Sequence, residues 1–319
     1  MFYEEANPPN ISLSEVMRLL RTCFPDIKAH EVKFQYHGSY NVFEVKGEYM
    51  FRFPDKIFFG GEKGLNLIER ESKLLDLIRE NISLQIPKPI YVSSDPNDPF
   101  IGYRKIVGIS LSRCFNKTAE NDQKSITLQL GQFLSELHSR KVYRKICATL
   151  KKEQEFNSFQ YQCYWQNYYK KVQENAFPLL DTKQKKWVSQ IFLEFLDEKQ
   201  NFDFIPAVIH GDFDTSNVLV DPTTFEVTGI IDFEETGVYD PAGDFIFYDE
   251  GEFFLDHLLT NYNGVRDQNF KNRMKFLYCR AGLIYIQTGL EGKIPKMVKY
   301  GIQMVNSRMK RFPIIFTNF

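Results

Sequence analysis

The 319-residue sequence lacks the features that mark several large classes of protein. Its net charge is −1 and it has no basic stripe of the kind that nucleic-acid binders carry, which disfavours that class. No apolar run approaches the ~20 residues that a membrane-spanning helix needs. The first ten residues, MFYEEANPPN, are acidic and contain no apolar segment, so we expect no secretory signal and a cytoplasmic protein.

Cysteine is also scarce. The five cysteines are scattered, odd in number and without a CxxC pair, which favours reduced, mostly buried thiols over a disulfide framework or a zinc site. Aromatic residues, in contrast, are abundant, with 30 phenylalanines and 17 tyrosines, and 43% of the residues are hydrophobic. A soluble chain of this length exceeds one typical core, so two domains are expected.

The two parts of the chain differ in their hydrophobic patterns. Three short strand-like segments, joined by glycine-containing turns, follow one another at 32–36, 41–45 and 49–53. A helical pattern covers residues 65–81, and from about residue 120 onward the pattern is mainly helical. We therefore predict an α+β fold with a small antiparallel sheet lobe over residues 1–106 and a larger, mostly helical lobe over residues 107–319.

Residues 208–217, VIHGDFDTSN, place titratable and ligating side chains in one polar turn. The apolar segment 218–220, a turn and a second apolar segment follow, which predicts a β-hairpin. Because a hairpin brings its ends together, Asp212, Asn217 and Asp232 should meet at one end of a small sheet. The oxygens of Asn217 and Asp232 suit Mg²⁺. This leaves Asp212 to orient a hydroxyl and accept its proton, a set that phosphoryl transfer requires.

The segments VIHGDFDTSNVLVD and GIIDFEETGVYDPAGDF resemble the aminoglycoside phosphotransferase family, which is related to the protein kinases. The resemblance implies a two-lobed, protein-kinase-like fold with a nucleotide-binding N-terminal lobe and a catalytic C-terminal lobe. It also implies that Asp212 is the catalytic residue and that Asn217 and Asp232 bind the metal. The positions to which it gives a bracing rather than a chemical role are His210, Asp240 and Asp244.

Physical reasoning on the N-terminal part predicts an internal ion pair. In the strand EYMFRFP, one charged residue, Arg52, projects from a face that is otherwise apolar. In the helix LIERESKLLDLI, Glu71 lies on an apolar stripe, where an unpaired carboxylate is unfavourable. We expect Arg52 and Glu71 to pair, as the strand cation and helix glutamate of the family do. Many relatives have lysine at the strand position, and arginine is a planar fork rather than a point charge.

Two further segments resemble the nucleotide-binding parts of the family. HGSYNVFEV is similar to the nucleotide loop, in which backbone N–H groups near Ser39 would contact phosphate, although an ordinary hairpin turn explains it equally well. IGYRKIVG is similar to the hinge, where backbone groups near Arg104 and Ile106 would recognise the purine. A bulky residue at the position of Tyr103 often accompanies guanine nucleotides in the family, so we expect GTP to be accepted along with ATP.

Acidic residues cluster after the predicted metal site, in a chain that is otherwise nearly neutral. The candidates for binding a cationic acceptor are Glu235, Asp249, Glu250 and Glu252. A solvated helix face would explain the cluster equally well, but its placement resembles the 2''-phosphotransferase branch, which binds its antibiotic there. The glycine that follows Asp-Phe in protein kinases is replaced by Glu234, so this loop is not expected to flip as it does in protein kinases.

We therefore expect a monomeric kinase that uses Mg²⁺ and transfers the γ-phosphate of ATP or GTP to an aminoglycoside hydroxyl, conferring antibiotic resistance. A kinase for another small alcohol, such as a macrolide, choline, homoserine or a sugar, has the same site chemistry. The aromatic segment around Trp165 is compatible with the apolar pocket that a macrolide needs or with the aromatic cage that choline needs. A nucleotide-binding pseudokinase is the alternative from a different class, and a peptide kinase is disfavoured because no activation segment is recognisable.

Overall fold

The computed structural model describes residues 8–93, 95–150 and 156–313, except for the side chains of residues 57 and 58. The chain divides into two packed units, one made of Met1–Leu137 with Thr215–Thr236 and the other of His138–Asp214 with Gly237–Phe319. This division by packing differs from the boundary predicted after residue 106. The division into functional lobes at residue 106 stays a prediction. In the described part of the chain, no helix combines the length and the apolar character needed to cross a membrane.

The first unit contains a five-stranded antiparallel sheet with the strand order β1-β2-β3-β5-β4. Its strands are β1 (Val32–His37), β2 (Tyr40–Val45), β3 (Tyr49–Pro54), β4 (Pro89–Val92) and β5 (Ile101–Arg104). The helices of this unit are α1 (Leu13–Leu20), α2 (Lys56–Phe59), α3 (Glu62–Arg79) and α4 (Glu120–Leu137). The predicted meander β1-β2-β3 is confirmed, with Arg52 opposite Val42 on one side and Ile101 on the other.

The two faces of this sheet bury different residues because side chains alternate along each strand. Phe51 and Phe53 of β3 belong to the core that includes Leu20 of α1. On the other face, Tyr103 packs with Ile68 of α3. Since α3 buries an apolar stripe that also contains Glu71, the strand and helix periodicities together place one cation and one carboxylate in this second layer.

A smaller antiparallel sheet, also in the first unit, has the strand order β6-β8-β9. Its strands are β6 (Ile109–Ser110), β8 (Val218–Val220) and β9 (Val227–Ile230). The predicted hairpin is confirmed, since β8 and β9 pair with Val218 opposite Ile230. Three-residue 3₁₀ segments at Leu111–Arg113 and Phe115–Lys117 lead from β6 toward α4. The Phe233 ring after the hairpin contacts Phe133 of α4.

The second unit is mostly helical, with one two-stranded antiparallel sheet of β7 (Ala207–Ile209) and β10 (Gly237–Tyr239). Its helices are α5 (Arg140–Thr149), α6 (Ser158–Lys171), α7 (Thr182–Asp197), α8 (Glu252–Asn261), α9 (Phe270–Cys279), α10 (Ala281–Glu291) and α11 (Pro295–Arg311). Aromatic rings fill its core, and Phe195 of α7 stacks on Phe276 of α9 with ring centroids 3.7 Å apart. Trp165 of α6 contacts both rings and is 3% exposed, so this ring serves helix packing.

Candidate active site

Arg52 is the centre of a buried cluster of charges in the first unit. Its Nη1 lies 2.6 Å from Oε1 of Glu71, and its Nη2 lies 2.7 Å from Oδ1 of Asp232 and 3.0 Å from Oε2 of Glu234. The ring of Tyr40 covers the guanidinium at 3.9 Å, and its hydroxyl donates to Oε2 of Glu71. Arg52 is 4% exposed and Glu71 is 1% exposed. The predicted pairing of Arg52 with Glu71 is confirmed.

The charge balance of this cluster is negative, with three carboxylates around one guanidinium. Burial raises the pKa of Glu71, and Arg52 opposes this effect. Burial and the charge of Asp232 raise the pKa of Glu234, again against Arg52. Burial by itself would lower the pKa of Arg52, but Glu71 and Asp232 outweigh it and raise that pKa well above its usual value. The guanidinium therefore stays charged, and a further cation near the carboxylates would favour their ionised forms.

The end of the β8–β9 hairpin brings Asn217 and Asp232 together. The backbone N–H of Ile231 donates to the carbonyl oxygen of Asn217 at 3.0 Å, so this hydrogen bond joins Asn217 to the residue immediately before Asp232. Asp232 adopts a φ of +69°, which is uncommon for a residue with a side chain, and its carboxylate is 34% exposed. A backbone held in this conformation aims a carboxylate in a direction that regular strand geometry does not provide.

The side chains of Asn217 and Asp232 have the chemistry of Mg²⁺ ligands. Among the residues that the structure describes, no three His, Cys, Asp or Glu side chains converge as a ready-made metal cluster. Magnesium, however, keeps several waters and is commonly held by one or two protein oxygens together with substrate phosphates. The side-chain oxygens of Asn217 and Asp232 are hard donors without a competing thiolate or imidazole, so the chemistry of this pair suits the ion.

The segment after Asp232 is tied to α3 through its backbone. The guanidinium of Arg70 donates from Nη1 to the carbonyl oxygen of Glu234 at 3.4 Å and from Nη2 to that of Thr236. Arg70 could not be identified from the sequence, because a cation on the partly exposed side of a helix does not interrupt the apolar pattern. The two contacts agree with the expectation that the loop with Glu234 in place of glycine is not a flipping switch.

In the second unit, β7 ends at Ile209 and leads into the turn that contains Asp212. The carboxylate of Asp244 accepts from the backbone N–H of His210 at 2.7 Å and from that of Gly211 at 3.0 Å. Asp244 is fully buried, Gly211 has a φ of +91°, and Asp212 is exposed. The turn is therefore fixed through its backbone immediately before Asp212.

A histidine that sequence reasoning missed also holds Asp244. The imidazole Nε2 of His138 lies 3.0 Å from Oδ2 of Asp244, and Nδ1 lies 2.9 Å from the hydroxyl of Tyr262. Because a carboxylate only accepts, Nε2 carries the proton and Tyr262 donates to Nδ1. A histidine at the end of a helical pattern is more often a core residue, so the sequence alone offered no reason to single it out.

Asp240 belongs to a separate buried ion pair in the second unit. Its Oδ2 accepts from Nε of Arg273 at 2.8 Å, and its Oδ1 accepts from the backbone N–H of Ala242. Arg273, which is fully buried, also donates to both carboxylate oxygens of Asp267. Burial raises the pKa of Asp240, and Arg273 opposes this effect. These contacts agree with the bracing role that the resemblance gives to Asp240.

The turn between β1 and β2 contains Ser39. The backbone N–H of Asp55 donates to the carbonyl oxygen of Ser39 at 2.8 Å, which ties the turn to the end of β3. The carboxylate of Asp55 contacts Nε2 of His37 at 2.9 Å and accepts from the side-chain amide of Asn10 at 2.7 Å. Asn10 also exchanges two hydrogen bonds with Asn41. The N-terminal segment therefore braces both sides of this turn.

The segment predicted to be the hinge leaves the sheet at the end of β5. Tyr103 and Ile106 are buried, and Arg104 is exposed. Burial raises the pKa of Tyr103. The backbone N–H of Lys105 donates to the carbonyl oxygen of Glu48 at 2.8 Å, and the ammonium group of Lys105 pairs with the carboxylate of Glu44. These anchors fix the segment through Lys105, while purine contacts by its backbone stay a prediction.

The four acidic residues predicted to bind a cationic acceptor differ in their surroundings. Glu235 and Glu252 are exposed, and Glu250 is half-buried. Asp249 is also exposed, but it is already paired, since Nη2 of Arg308 lies 2.6 Å from Oδ2 and the hydroxyl of Tyr278 donates to Oδ1. Burial raises the pKa of Asp249, yet the hydrogen bonds from Arg308 and Tyr278 outweigh it and leave the pKa below its usual value.

The structure thus brings together two groups of the predicted residues. Arg52, Glu71, Asp232 and the neighbouring Asn217 form one group in the first unit, and the turn with His210 and Asp212 is held by Asp244 in the second. The predicted meeting of Asp212 with Asn217 and Asp232 stays a prediction.

The chain resembles known proteins in sequence and in fold. A family model described as "Phosphotransferase enzyme family", APH, matches residues 37–250. An uncharacterized protein of Bacillus subtilis (strain 168), YcbJ, is 33% identical over 97 residues. That match covers 28% of this chain and 31% of the length of YcbJ, so the chain spans about a third of this curated relative.

Solved structures resemble nearly the whole length of the chain. The GDP and kanamycin complex of APH(2'')-IIIa superposes with a TM-score of 0.81 at 23% identity, covering 94% of this chain and 99% of that chain. The gentamicin complex of APH(2'')-IIa has a TM-score of 0.71 at 19% identity, covering 94% of this chain and 97% of that chain. At these identities the likeness establishes the fold, and it confirms the predicted α+β, protein-kinase-like architecture.

Proposed function

The chain belongs to the APH phosphotransferase enzyme family, and on this premise we propose that it transfers the γ-phosphate of ATP or GTP to a hydroxyl of an aminoglycoside. The observation that carries the proposal is the cluster in which buried Arg52 contacts both Glu71 of α3 and Asp232 at the end of the hairpin. Phosphoryl transfer depends on a cation that reaches the phosphates, a carboxylate that positions it and metal-binding oxygens. This one cluster supplies all three kinds of group.

Asp212 is the proposed catalytic residue. It orients the acceptor hydroxyl and takes its proton as the oxygen attacks the γ-phosphorus, whose bond to the bridging oxygen breaks and releases nucleoside diphosphate. Two features support this role, namely the exposed position of Asp212 and the fixed backbone of His210 and Gly211 immediately before it. His210, Asp240 and Asp244 act by holding the structure around it.

Arg52, positioned by Glu71, binds the phosphates of the nucleotide in this proposal. Backbone groups near Ser39 contact the phosphates, and those of Tyr103, Arg104 and Ile106 contact the purine. Mg²⁺, when bound by Asn217 and Asp232, supplies the positive charge that neutralises the phosphates. A structure of APH(2'')-IIIa holds GDP, which supports a guanine nucleotide as one donor.

The proposed acceptor is an aminoglycoside. Proteins of the same fold bind kanamycin and gentamicin, and polycations of this kind are attracted by clustered carboxylates. Glu235, Glu250 and Glu252 are the stronger candidates for acceptor contacts, because Arg308 already neutralises Asp249. We propose in addition that the enzyme is a cytoplasmic monomer, that residues 1–106 and 107–319 are its nucleotide-binding and catalytic lobes, and that it confers resistance.

An acceptor panel tests this function. Purified protein is incubated with Mg²⁺, ATP or GTP, and kanamycin, gentamicin, a macrolide, choline, homoserine or a sugar, and release of nucleoside diphosphate is measured. We expect acceptor-dependent turnover with an aminoglycoside. Asp221→Asn is a control variant that should turn over as the wild type does, since the carboxylate of Asp221 accepts from the backbone N–H groups of Thr223 and Thr224 within its own turn.

Other outcomes of the panel point to the alternatives. Turnover that depends on choline, a macrolide, homoserine or a sugar instead of an aminoglycoside would replace the acceptor and leave the reaction class intact. Binding of nucleotide without turnover by any acceptor would indicate a pseudokinase and would contradict the proposed reaction.

A further inference from the structure

Both hydrogens of one amino group of Arg52 are already engaged. The Nη2 atom has two N–H bonds, and it lies within hydrogen-bond distance of Oδ1 of Asp232 and Oε2 of Glu234. The other amino group, Nη1, donates to Glu71. A phosphate oxygen that is to bind Nη2 must therefore replace one of two carboxylates.

Of the three carboxylates, that of Glu234 is the easiest to displace. Glu71 is 1% exposed and is also held by the hydroxyl of Tyr40, so it is fixed from two sides. Asp232 has a constrained backbone at a φ of +69° and a separate part in the proposed metal site. The contact of Glu234 with Arg52, at 3.0 Å, is the longest of the three, and its side chain is more exposed than that of Glu71.

The backbone at Glu234 is anchored independently of this contact. Arg70 donates to the carbonyl oxygens of Glu234 and Thr236, so the loop keeps its place when the Glu234 side chain leaves Arg52. A rotation of one side chain is then enough to free the Nη2 donor. The carboxylate at this position resembles a phosphate oxygen in charge and in the way it accepts from a guanidinium.

We propose that Glu234 occupies the phosphate-facing donor of Arg52 in the free enzyme and yields it to the nucleotide, so that this residue sets nucleotide affinity. The inference rests on the proposed function, because it takes Arg52 to be the phosphate-binding cation. It assigns to Glu234 a competitive role, which differs from that of the supporting carboxylate Glu71.

The test is equilibrium binding of nucleoside triphosphate with Mg²⁺ in the absence of an acceptor. Glu234→Gln removes the charge and Glu234→Asp shortens its reach, and both should bind the triphosphate about tenfold more tightly, since a hydrogen bond to a charged group no longer competes. The affinity for the nucleoside without phosphates should be unchanged. Glu235→Gln is the matched control, because it removes the neighbouring negative charge without removing a contact with Arg52.

The outcomes separate this inference from the proposed function. If both Glu234 variants bind triphosphate as the wild type does, or more weakly, Glu234 does not compete and the inference is overturned. An equal gain in Glu235→Gln would also overturn it, because general charge repulsion would then suffice. If the wild type binds no nucleotide at all, the proposed function itself fails. Urea denaturation checks folding, and should Glu234→Gln not fold, Glu234→Asp decides.

Discussion

The imidazole Nε2 of His138 lies 3.0 Å from the carboxylate of Asp244, which also accepts from the backbone N–H groups of His210 and Gly211. One buried carboxylate thus fixes the turn that ends in the proposed catalytic residue, Asp212. The hydrogen bonds of His138 go to Asp244 and Tyr262 and not to a proposed catalytic or binding residue. We therefore expect His138 to influence the reaction through Asp244.

This relationship predicts the effect of His138→Phe. The variant removes the donor to Asp244, so the turn loses one restraint and Asp212 is less well aimed. We expect kcat to fall by up to ~10²-fold, the loss associated with a small misplacement of reacting groups, while KM for the nucleotide changes little. Tyr262→Phe, which removes only the hydroxyl on Nδ1, should lose less. Steady-state kinetics with both substrates varied gives the two constants, and a rise in KM at constant kcat would contradict the positioning role.

Arg52 should also be important for stability. Arg52→Met leaves Glu71 buried without its cation, so we expect the free energy of unfolding to fall by ~3–5 kcal/mol in urea denaturation. Arg52→Lys keeps a charge but not the planar fork, and its loss should be smaller. Arg18→Met is the control, because Arg18 pairs with Asp98 at the surface with a side chain that is 58% exposed, and it should lose less than ~1 kcal/mol. Similar losses for Arg52→Met and Arg18→Met would show that the buried pair contributes little.

The pairing of Asp249 with Arg308 predicts a particular pH dependence. Since the pKa of Asp249 is lowered in the folded state, its contribution to stability is fully present above the unfolded value of about 3.9 and is lost as the pH falls through the folded pKa. Wild type should therefore be more stable than Asp249→Asn at neutral pH, and the difference should shrink below about pH 4. Urea denaturation of both proteins across this range measures it. A difference that stays constant with pH would rule out the ion pair as its source.

Magnesium dependence tests the donor pair at the end of the hairpin. A chelator should abolish nucleotide turnover, and added Mg²⁺ should restore it. Asn217→Ala removes one of two protein ligands, so half-maximal turnover should need about tenfold more Mg²⁺, or an even higher concentration. Thr223→Ala, in the turn at the opposite end of the same hairpin, should respond as the wild type does. An unchanged Mg²⁺ requirement in Asn217→Ala would remove Asn217 from the metal site.

Local periodicity accounts for what could be predicted from the sequence. The alternation in β3 identified Arg52, and the helical stripe in α3 identified Glu71, because each residue interrupts an apolar pattern that its own element imposes. The hairpin was likewise predictable from two apolar segments and a turn. These signals extend over only a few residues, and they determine which face a side chain occupies.

Contacts between distant parts of the chain could not be predicted in this way. Glu234 reaches Arg52 across 182 positions, and Arg308 reaches Asp249 across 59, without a periodic pattern that connects them. Asp249 was therefore grouped with the acceptor-binding acids although α11 already supplies its partner. For the same reason the bracing of the β1–β2 turn by Asn10 was visible only in the folded chain.

The most direct test of the account is product analysis with wild type and Asp212→Asn. Each protein is incubated with kanamycin, Mg²⁺ and ATP or GTP, and phosphorylated kanamycin is quantified by mass spectrometry alongside nucleotide affinity. We predict that the wild type forms one phosphorylated product per nucleotide consumed, and that Asp212→Asn is slower by ~10²–10⁴-fold with unchanged nucleotide affinity. Absence of phosphorylated product with the wild type, or a loss of only a few-fold in Asp212→Asn, would contradict the account.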